Sequence, residues 1–232
     1  MTKRLFTGIL LGALFAGFTY LVTTFDVAAA GPDGTTIGFS ALNLKFHELT
    51  GVNMKWYQLT DYLGYFAIGV AAVFALAGLV QLIQRKSLFK VDREIICLGI
   101  LFVIVIGFYV GIEKFIINYR PVIMPGASEV EASYPSSHTM LIITVMGATM
   151  LLLGNYMKKG FLLTLLRLIC LAVILVTVGG RLYCGVHWLT DIIGGVLLSF
   201  ALIELYGAAI YKKEPAQAPV REAGPDGYQP KH

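Results

Sequence analysis

Six long apolar stretches dominate this sequence of 232 residues. A helix that crosses the hydrocarbon core of a bilayer needs about 20 consecutive apolar residues, and each stretch is long enough to do so. Because lipid offers no hydrogen-bond partner to open backbone groups, helices are the expected structure for such stretches. The sequence therefore predicts an all-α, polytopic membrane protein with six transmembrane helices in one bundle. The stretches are residues 5–23, 62–83, 95–113, 139–157, 161–179 and 189–210.

The composition excludes two other classes of protein. Apolar residues make up 57% of the chain and charged residues 14%, whereas soluble domains carry roughly 25% charged residues. Neither an ordinary soluble domain nor a disordered chain fits these values. The net charge of +4 does not indicate nucleic-acid binding, because the basic residues cluster at the ends of the apolar stretches. The cysteines, Cys97, Cys170 and Cys184, are interpreted as small buried hydrophobes.

The first apolar stretch also resembles a secretory signal, since Lys3 and Arg4 precede it and three alanines follow at 28–30. Its apolar run is longer than that of a usual signal, and the alanines lie several residues beyond it. We expect the chain to retain this segment as its first helix. Cleavage is the alternative, and it would leave the remaining topology unchanged.

The distribution of Lys and Arg predicts how the chain is oriented in the membrane. With the N-terminus in the cytoplasm, only five of the 18 basic residues fall outside. We therefore expect the N-terminus to lie in the cytoplasm. The five external basic residues are Lys45, Lys55, Lys114, Arg120 and Arg181.

The predicted six-helix domain comprises residues 1–211 and includes one long external loop, and a tail follows it. Residues 24–61 form an external loop with apolar residues at near-helical spacing, which favours an interfacial helix followed by an aromatic anchor at Trp56 and Tyr57. A lid over a lipid headgroup is the alternative. Residues 212–232 are rich in Pro, Gly and Ala and are predicted to be a disordered cytoplasmic tail.

Ionisable residues near membrane depth are costly, so each needs a reason to be there. The first external group follows the third stretch and contains Lys114 and Arg120, for which simple pairing with lipid phosphates is an equal alternative. The second group, Ser136, Ser137 and His138, begins the fourth stretch, where backbone N–H groups and the helix dipole favour an anion. Capping alone accounts for either serine, but it does not account for His138.

The third group contains Arg181, His187 and Asp191. Because Asp191 follows His187 by four residues, we expect the two side chains to lie one above the other on a helix face. A carboxylate at this spacing accepts the Nδ1–H of the imidazole and leaves Nε2 to face a substrate. A carboxylate that only stabilises the start of a helix is the alternative for Asp191.

Together the three groups supply three cations, two histidines and one carboxylate on one side of the membrane. The surplus of positive charge argues against a metal site, because Lys and Arg repel a metal cation. It favours an anion instead, and cations that hold phosphate oxygens beside an oriented imidazole are suited to phosphoryl transfer. We therefore expect no metal and no other cofactor.

On these residues the sequence resembles the type 2 phosphatidic acid phosphatase family, membrane lipid phosphatases that share an active-site pattern with vanadium haloperoxidases. The third family motif is Ser-Arg, five residues, His, three residues, Asp. It matches at Arg181, His187 and Asp191, with Gly180 in place of the serine. The resemblance covers roughly residues 60–210.

The other two family motifs match with one departure each. Pro-Ser-Gly-His matches at residues 135–138, with Ser137 in place of glycine. Lys, six residues, Arg-Pro matches at Arg120 and Pro121, but Lys114 is one residue too close and Glu113 holds the expected position. One residue on a helix is a rotation of about 100°, so this departure carries the most weight.

The resemblance implies a role for each matching residue. His187 is the nucleophile that forms a phosphohistidine, Asp191 orients it, and His138 is the general acid that protonates the leaving oxygen. The family needs no metal. The residues implied to hold the phosphoryl oxygens are Lys114, Arg120, Ser136, Ser137 and Arg181.

The expected function is therefore a metal-independent lipid phosphate phosphatase that acts at the external face of a plasma membrane. The resemblance implies substrates such as undecaprenyl diphosphate, phosphatidylglycerol phosphate or phosphatidic acid. A lipid phosphotransferase, which passes the phosphoryl group to a second lipid, is one alternative. A non-catalytic carrier or transporter of lipid phosphates is another, although the chain shows no convincing internal repeat. The sequence does not indicate the oligomeric state.

Overall fold

A computed structural model describes residues 2–211, with side chains from residue 3 onward. Within this part of the chain, the secondary structure consists of α-helices, two short 3-10 turns and two isolated β-bridges. The predicted tail, residues 212–232, lies outside the described residues. The helices are α1 Thr2–Thr24, α2 Ser40–Thr50, α3 Met54–Arg85, α4 Arg93–Lys114, α5 Ser137–Tyr156, α6 Phe161–Tyr183 and α7 Leu189–Ile210.

All the long helices are apolar enough to cross a membrane. Six candidate spans correspond to α1 and α3 to α7, which confirms the prediction of an all-α protein with six transmembrane helices. The centre of the bundle is formed by α5 and α7, which are the most buried spans. Around them, α1 packs along α7, while α3 packs against both α5 and α6.

Small residues near the start of α7 allow the chain to approach it closely. A Cβ added to Gly194 would lie 2.6 Å from the ring of Tyr134, and one added to Gly195 would lie 3.1 Å from the carbonyl oxygen of Ser136. Small residues are common where membrane helices pack closely. This packing places the start of α5 directly beside the start of α7.

The predicted loop 24–61 differs from the structure at its end. Its predicted helix is present as α2, but α3 begins at Met54, well before the apolar stretch that starts at residue 62. The side chain of Asn53 caps this early start by accepting hydrogen bonds from the backbone N–H groups of Lys55 and Trp56 at 3.1 and 3.3 Å. Consequently Trp56 and Tyr57 lie in the first turn of α3 and not in a loop.

Helix α2 is attached to the beginning of α7 through Asn43. The Asn43 side chain is completely buried; its Nδ2 donates to Thr190 Oγ1 at 2.9 Å, and its Oδ1 accepts from the Thr190 backbone N–H at 3.3 Å. The first N–H groups of a helix have no partner within the helix. Asn43 therefore supplies a distant cap for α7, next to the predicted third motif.

Candidate active site

His187 lies in the short connection between α6 and α7, and its side chain is almost completely buried. Its Nε2 lies 3.3 Å from Nη1 of Arg120. Because a guanidinium nitrogen only donates hydrogen bonds, Nε2 acts as the acceptor, and the proton of the neutral ring is assigned to Nδ1. Burial, followed by the positive charges of Arg120 and Arg181, lowers the pKa of His187 well below its usual value. The imidazole is therefore neutral, with a lone pair on Nε2.

Asp191 lies behind this histidine, but not on a common helix face. The expectation of two side chains stacked along one helix is wrong, because α7 begins at Leu189 and His187 precedes it. Asp191 instead reaches back from the first turn: its Oδ2 accepts from the backbone N–H of Trp188 at 2.9 Å and lies 3.5 Å from His187 Nδ1. One carboxylate thus stabilises the start of α7 and faces the protonated nitrogen of His187.

Arg120 is held over His187 by the loop between α4 and α5. Its Nε donates to Glu131 Oε2 at 2.9 Å, and its Nη1 donates to the carbonyl oxygen of Val186 at 3.3 Å. The same loop also supports Asp191, whose Oδ1 accepts a long hydrogen bond of 3.4 Å from Asn118 Nδ2. The loop therefore fixes a cation on one side of His187 and supports the carboxylate on the other side.

The two serines of the second motif have different surroundings. Ser136 is fully buried and is the N-cap of α5; its Oγ accepts from Thr139 Oγ1 at 3.0 Å, and its backbone N–H donates to the carbonyl oxygen of Asp191 at 3.0 Å. These contacts join the second and third motifs. Ser137 is half-buried and lines a groove beside His138.

His138 and Arg181 meet at a residue that the sequence motifs do not contain. Asp61 of α3 accepts from Arg181 Nη2 at 2.5 Å, and the same oxygen, Oδ1, lies 3.0 Å from His138 Nε2. The guanidinium of Arg181 is completely buried and lies 4.8 Å from the centre of the Tyr57 ring. Helix α3 thus supplies a carboxylate and an aromatic face to two predicted site residues.

Gly180, which stands where the family pattern has serine, has a structural explanation. A Cβ added at this position would lie 2.6 Å from Thr60 Cγ2 and 3.1 Å from Trp56 Cε3. Both distances are shorter than normal van der Waals contacts. The methyl group of Thr60 therefore occupies the space that a side chain at residue 180 would need.

Lys114 is placed differently from the other predicted site residues. It is the last residue of α4 and is exposed, and its side chain makes no hydrogen bond or ion pair with the described residues. The structure therefore brings together His138, Arg120, Arg181, His187 and Asp191, but it does not bring Lys114 into contact with them. Its role in binding phosphate stays a prediction.

An open groove of about 470 Å³ leads from His138 along α3 and α4. At one end it is polar, with Asp61, Ser137 and His138, and the remaining wall is mostly apolar and aromatic. This arrangement fits an amphiphile whose charged group reaches the histidine while its hydrocarbon part stays beside the helices. The apolar part of the wall includes Ile68, Val105, Ile106 and Leu141.

Sequence reasoning missed Asp61 and Asn118. Asp61 lies one residue before the second apolar stretch, so hydropathy places it in the predicted loop, although Tyr57, Asp61 and Gly64 continue the helical spacing. A carboxylate inside a membrane helix is a signal of function. Asn118 carries no such signal, since its contact with Asp191 depends on how the loop folds.

A bundle of six membrane helices with a buried His–Asp pair, a second histidine and two arginines defines an integral membrane enzyme of phosphoryl transfer. The family model of the PAP2 superfamily matches residues 96–214, about half of the chain. The chain therefore belongs to the PAP2 superfamily and is a multi-pass membrane phosphatase, as the resemblance of its motifs predicted.

One solved structure supports the same fold. The chain is similar to the crystal structure of a transmembrane PAP2 type phosphatidylglycerolphosphate phosphatase from Bacillus subtilis, with a TM-score of 0.60 and 17% sequence identity. The match covers 88% of this chain and 95% of that chain. At this identity the likeness concerns the fold alone. A search of curated proteins found no match.

Proposed function

We propose that this protein hydrolyses the phosphate of a membrane lipid through a phosphohistidine intermediate on His187. The observation that carries the proposal is the state of this residue: a buried, neutral imidazole whose Nε2 faces Arg120 while Nδ1 faces Asp191. A nucleophile needs an available lone pair and a partner that stabilises the charge formed during attack. Asp191 meets the second requirement. The first is met when Arg120, which donates to Nε2 in the empty site, donates to a phosphoryl oxygen of the substrate instead and releases the lone pair.

In the first step Nε2 of His187 attacks phosphorus, and the bond between phosphorus and the lipid oxygen breaks. His138 starts as the imidazolium and gives the proton on its Nε2 to that oxygen, so His138 becomes neutral and the lipid leaves as an alcohol or, from a diphosphate, as a lipid phosphate. Arg120 and Arg181 stabilise the negative charge on the phosphoryl oxygens. Asp191 stabilises the positive charge on the substituted imidazole.

In the second step His138 removes a proton from water, whose oxygen attacks phosphorus and releases phosphate from His187. Ser136, the Ser137 backbone N–H and the long side chain of Lys114 are proposed to complete the phosphate site. The buried contacts of Ser136 are those of a helix cap. We therefore propose that Ser136 acts mainly by orienting the start of α5. No metal or other cofactor takes part in this sequence of steps.

The substrate is proposed to be an amphiphile whose phosphate lies at headgroup depth. The apolar groove beside His138 supports this class. Since the similar Bacillus subtilis structure is a phosphatidylglycerolphosphate phosphatase, phosphatidylglycerol phosphate is the first substrate to test, with undecaprenyl diphosphate and phosphatidic acid beside it. The excess of cytoplasmic basic residues favours an active site at the external face of the plasma membrane.

Phosphate release from these three lipids, measured at a fixed detergent concentration, tests the proposal. We expect release from at least one of them, and a loss on the order of 10³-fold or more in the His187→Ala variant, because the nucleophile is removed. Elution of the variant at the volume of the wild type in gel filtration shows that it is folded. Full activity of the folded variant would contradict the mechanism.

The same assay separates the alternatives. A lipid phosphotransferase would form a phosphorylated lipid acceptor in place of free phosphate. A carrier would bind a lipid phosphate without turnover, and the complete set of two histidines and one aspartate argues against it.

A further inference from the structure

One carboxylate oxygen lies at the meeting point of the two groups that the proposed function assigns to the substrate. Asp61 Oδ1 is 2.5 Å from Arg181 Nη2 and 3.0 Å from His138 Nε2. In the proposed reaction, Arg181 contacts a phosphoryl oxygen and His138 contacts the leaving oxygen of the same phosphate. The Asp61 carboxylate therefore makes the contacts that substrate oxygens would make.

The buried positive charge of the Arg181 guanidinium is balanced by this contact with Asp61. Its Nε and Nη1 are buried and have no hydrogen-bond partner among the described residues, and Nη2 is bonded only to Asp61. Leaving a buried charge without an anion is strongly unfavourable. A negatively charged group beside Arg181 is thus required whether or not substrate is bound.

The Asp61 side chain has space to move away. It is 24% exposed and lies at the polar end of the groove between α3 and α4. The His138 side chain is similarly exposed, at 28%, and it packs beside Gly64 of α3, where an added Cβ would lie 3.2 Å from His138 Cδ2. A displacement is therefore easier for the carboxylate than for the fully buried arginine.

We propose that Asp61 is a resident counter-ion that occupies the phosphate site of the empty enzyme and is displaced by the substrate phosphate. This inference rests on the proposed function of His138 and Arg181. The resident carboxylate balances the buried charge in the empty site and competes with incoming phosphate groups. The alternative is that Asp61 is a fixed anchor, which holds His138 and Arg181 in place during binding. Removing the charge of an anchor would weaken phosphate binding, whereas removing a competing counter-ion would strengthen it.

The Asp61→Asn variant distinguishes these roles through the dissociation constants of inorganic phosphate and orthovanadate, measured by calorimetry on the full chain in detergent. If Asp61 competes with the ligand, removal of its charge strengthens binding on the order of tenfold, because the binding-competent form of the site becomes more populated. Weaker binding by the folded variant would show that Asp61 is an anchor and would overturn the proposal. Unchanged binding would overturn it as well.

Glu131→Gln is the matched control. Glu131 bonds to Arg120 Nε on the outer side, at 2.9 Å, and contacts neither His138 nor Arg181. Both variants remove one negative charge that is paired with a site arginine. If Glu131→Gln strengthens phosphate binding as much as Asp61→Asn does, a general change in electrostatic potential explains the result and the proposal is wrong.

A measurement on the wild type serves if Asp61→Asn does not fold. A carboxylate released from Arg181 and His138 is more accessible to an apolar carbodiimide, so we expect orthovanadate to increase the labelling of Asp61 detected by mass spectrometry. Unchanged or reduced labelling contradicts displacement. None of these measurements requires turnover, so a failure of Asp61 as counter-ion is distinguishable from a failure of hydrolysis, which phosphate release from the wild type reports.

Discussion

The nucleophile His187 is controlled by the few side chains in contact with it. Burial and the neighbouring arginines lower its pKa, so the ring stays neutral under conditions in which an exposed histidine takes up a proton. The hydrogen bond from Arg120 and the proximity of Asp191 also select which nitrogen carries the proton. Arg120 thus influences both the charge and the tautomer of His187, whereas Asp191 faces the nitrogen that carries the proton.

Replacing Arg120 is expected to change the pH dependence of the reaction. After burial, the positive charge of Arg120 is the largest cause of the lowered pKa of His187, so Arg120→Gln raises this pKa towards its usual value. Since the nucleophile must be neutral, wild-type kcat/KM persists as the pH falls below 6.5, whereas the variant loses activity at a higher pH. Its kcat/KM at pH 8 also falls about 100-fold through loss of a contact to the phosphoryl group.

The measurement is a pH profile of kcat/KM for wild type, Arg120→Gln and Arg120→Lys. The lysine variant keeps the charge and is expected to have an acid limb closer to that of the wild type. An acid limb of Arg120→Gln at the wild-type pH, or at a lower pH, would contradict this account of His187.

Gly180 provides a second prediction, on stability. Gly180→Ala places a methyl group 2.6 Å from Thr60 Cγ2, and overpacking of this kind costs about 1–3 kcal/mol. We expect a lower Tm in detergent for this variant. Adding Thr60→Ser removes the opposing methyl group but keeps the hydroxyl that donates to the carbonyl oxygens of Trp56 and Tyr57. The double variant should recover part of the loss, and a double variant less stable than Gly180→Ala would refute the steric explanation.

Among the elements, α3 shows most clearly where sequence analysis succeeds and where it fails. The apolar stretch from residue 62 predicted the membrane span, but the helix begins at Met54, because Asn53 caps an earlier first turn. Hydropathy does not detect this turn, although it carries Tyr57 and leads to Asp61. The missed part of the helix is therefore the part that contacts Arg181.

For the cluster of site residues, too, the sequence predicts one part and misses another. Arg120, His138, Arg181, His187 and Asp191 were predicted from ordered motifs at helix ends, and the structure places them at one end of the bundle. The spacing also predicted that Asp191 faces Nδ1 of His187. The contact of Arg120 with His187 was not predictable, because it depends on the fold of the loop 115–136. Motif spacing identified the residues, whereas loop geometry determines which atoms meet.

Helix α2 is predicted to support the site from a distance. Asn43→Ala removes the buried hydrogen bonds to Thr190, and leaving buried polar groups unpaired costs about 1–3 kcal/mol. Since Thr190 adjoins Asp191, we expect a lower Tm together with a reduced kcat. Glu48→Ala, an exposed position on the same helix, is the matched control. Equal effects of the two variants would argue against a supporting role of Asn43.

At the scale of the whole molecule, the polar site and the majority of the basic residues are predicted to lie on opposite sides of the membrane. Lys45 on α2 and Lys86 after α3 are both exposed. In intact cells, a membrane-impermeant maleimide should label Lys45→Cys but label Lys86→Cys only after lysis. The unsubstituted chain, in which Cys170 and Cys184 are buried, gives the background. The reverse pattern of labelling would place the active site in the cytoplasm.

The central claim is that the phosphoryl group passes through His187, and trapping the intermediate tests it most directly. The enzyme is mixed with a lipid substrate labelled with ³²P in its phosphate and quenched in alkali, in which phosphohistidine is stable. Cleavage at Arg181 separates the peptide with His187 from the peptide with His138, and mass spectrometry locates the label. The account predicts phosphate on His187 in the wild type and none in His187→Ala. Label on His138, or continued hydrolysis without labelled His187, would contradict it.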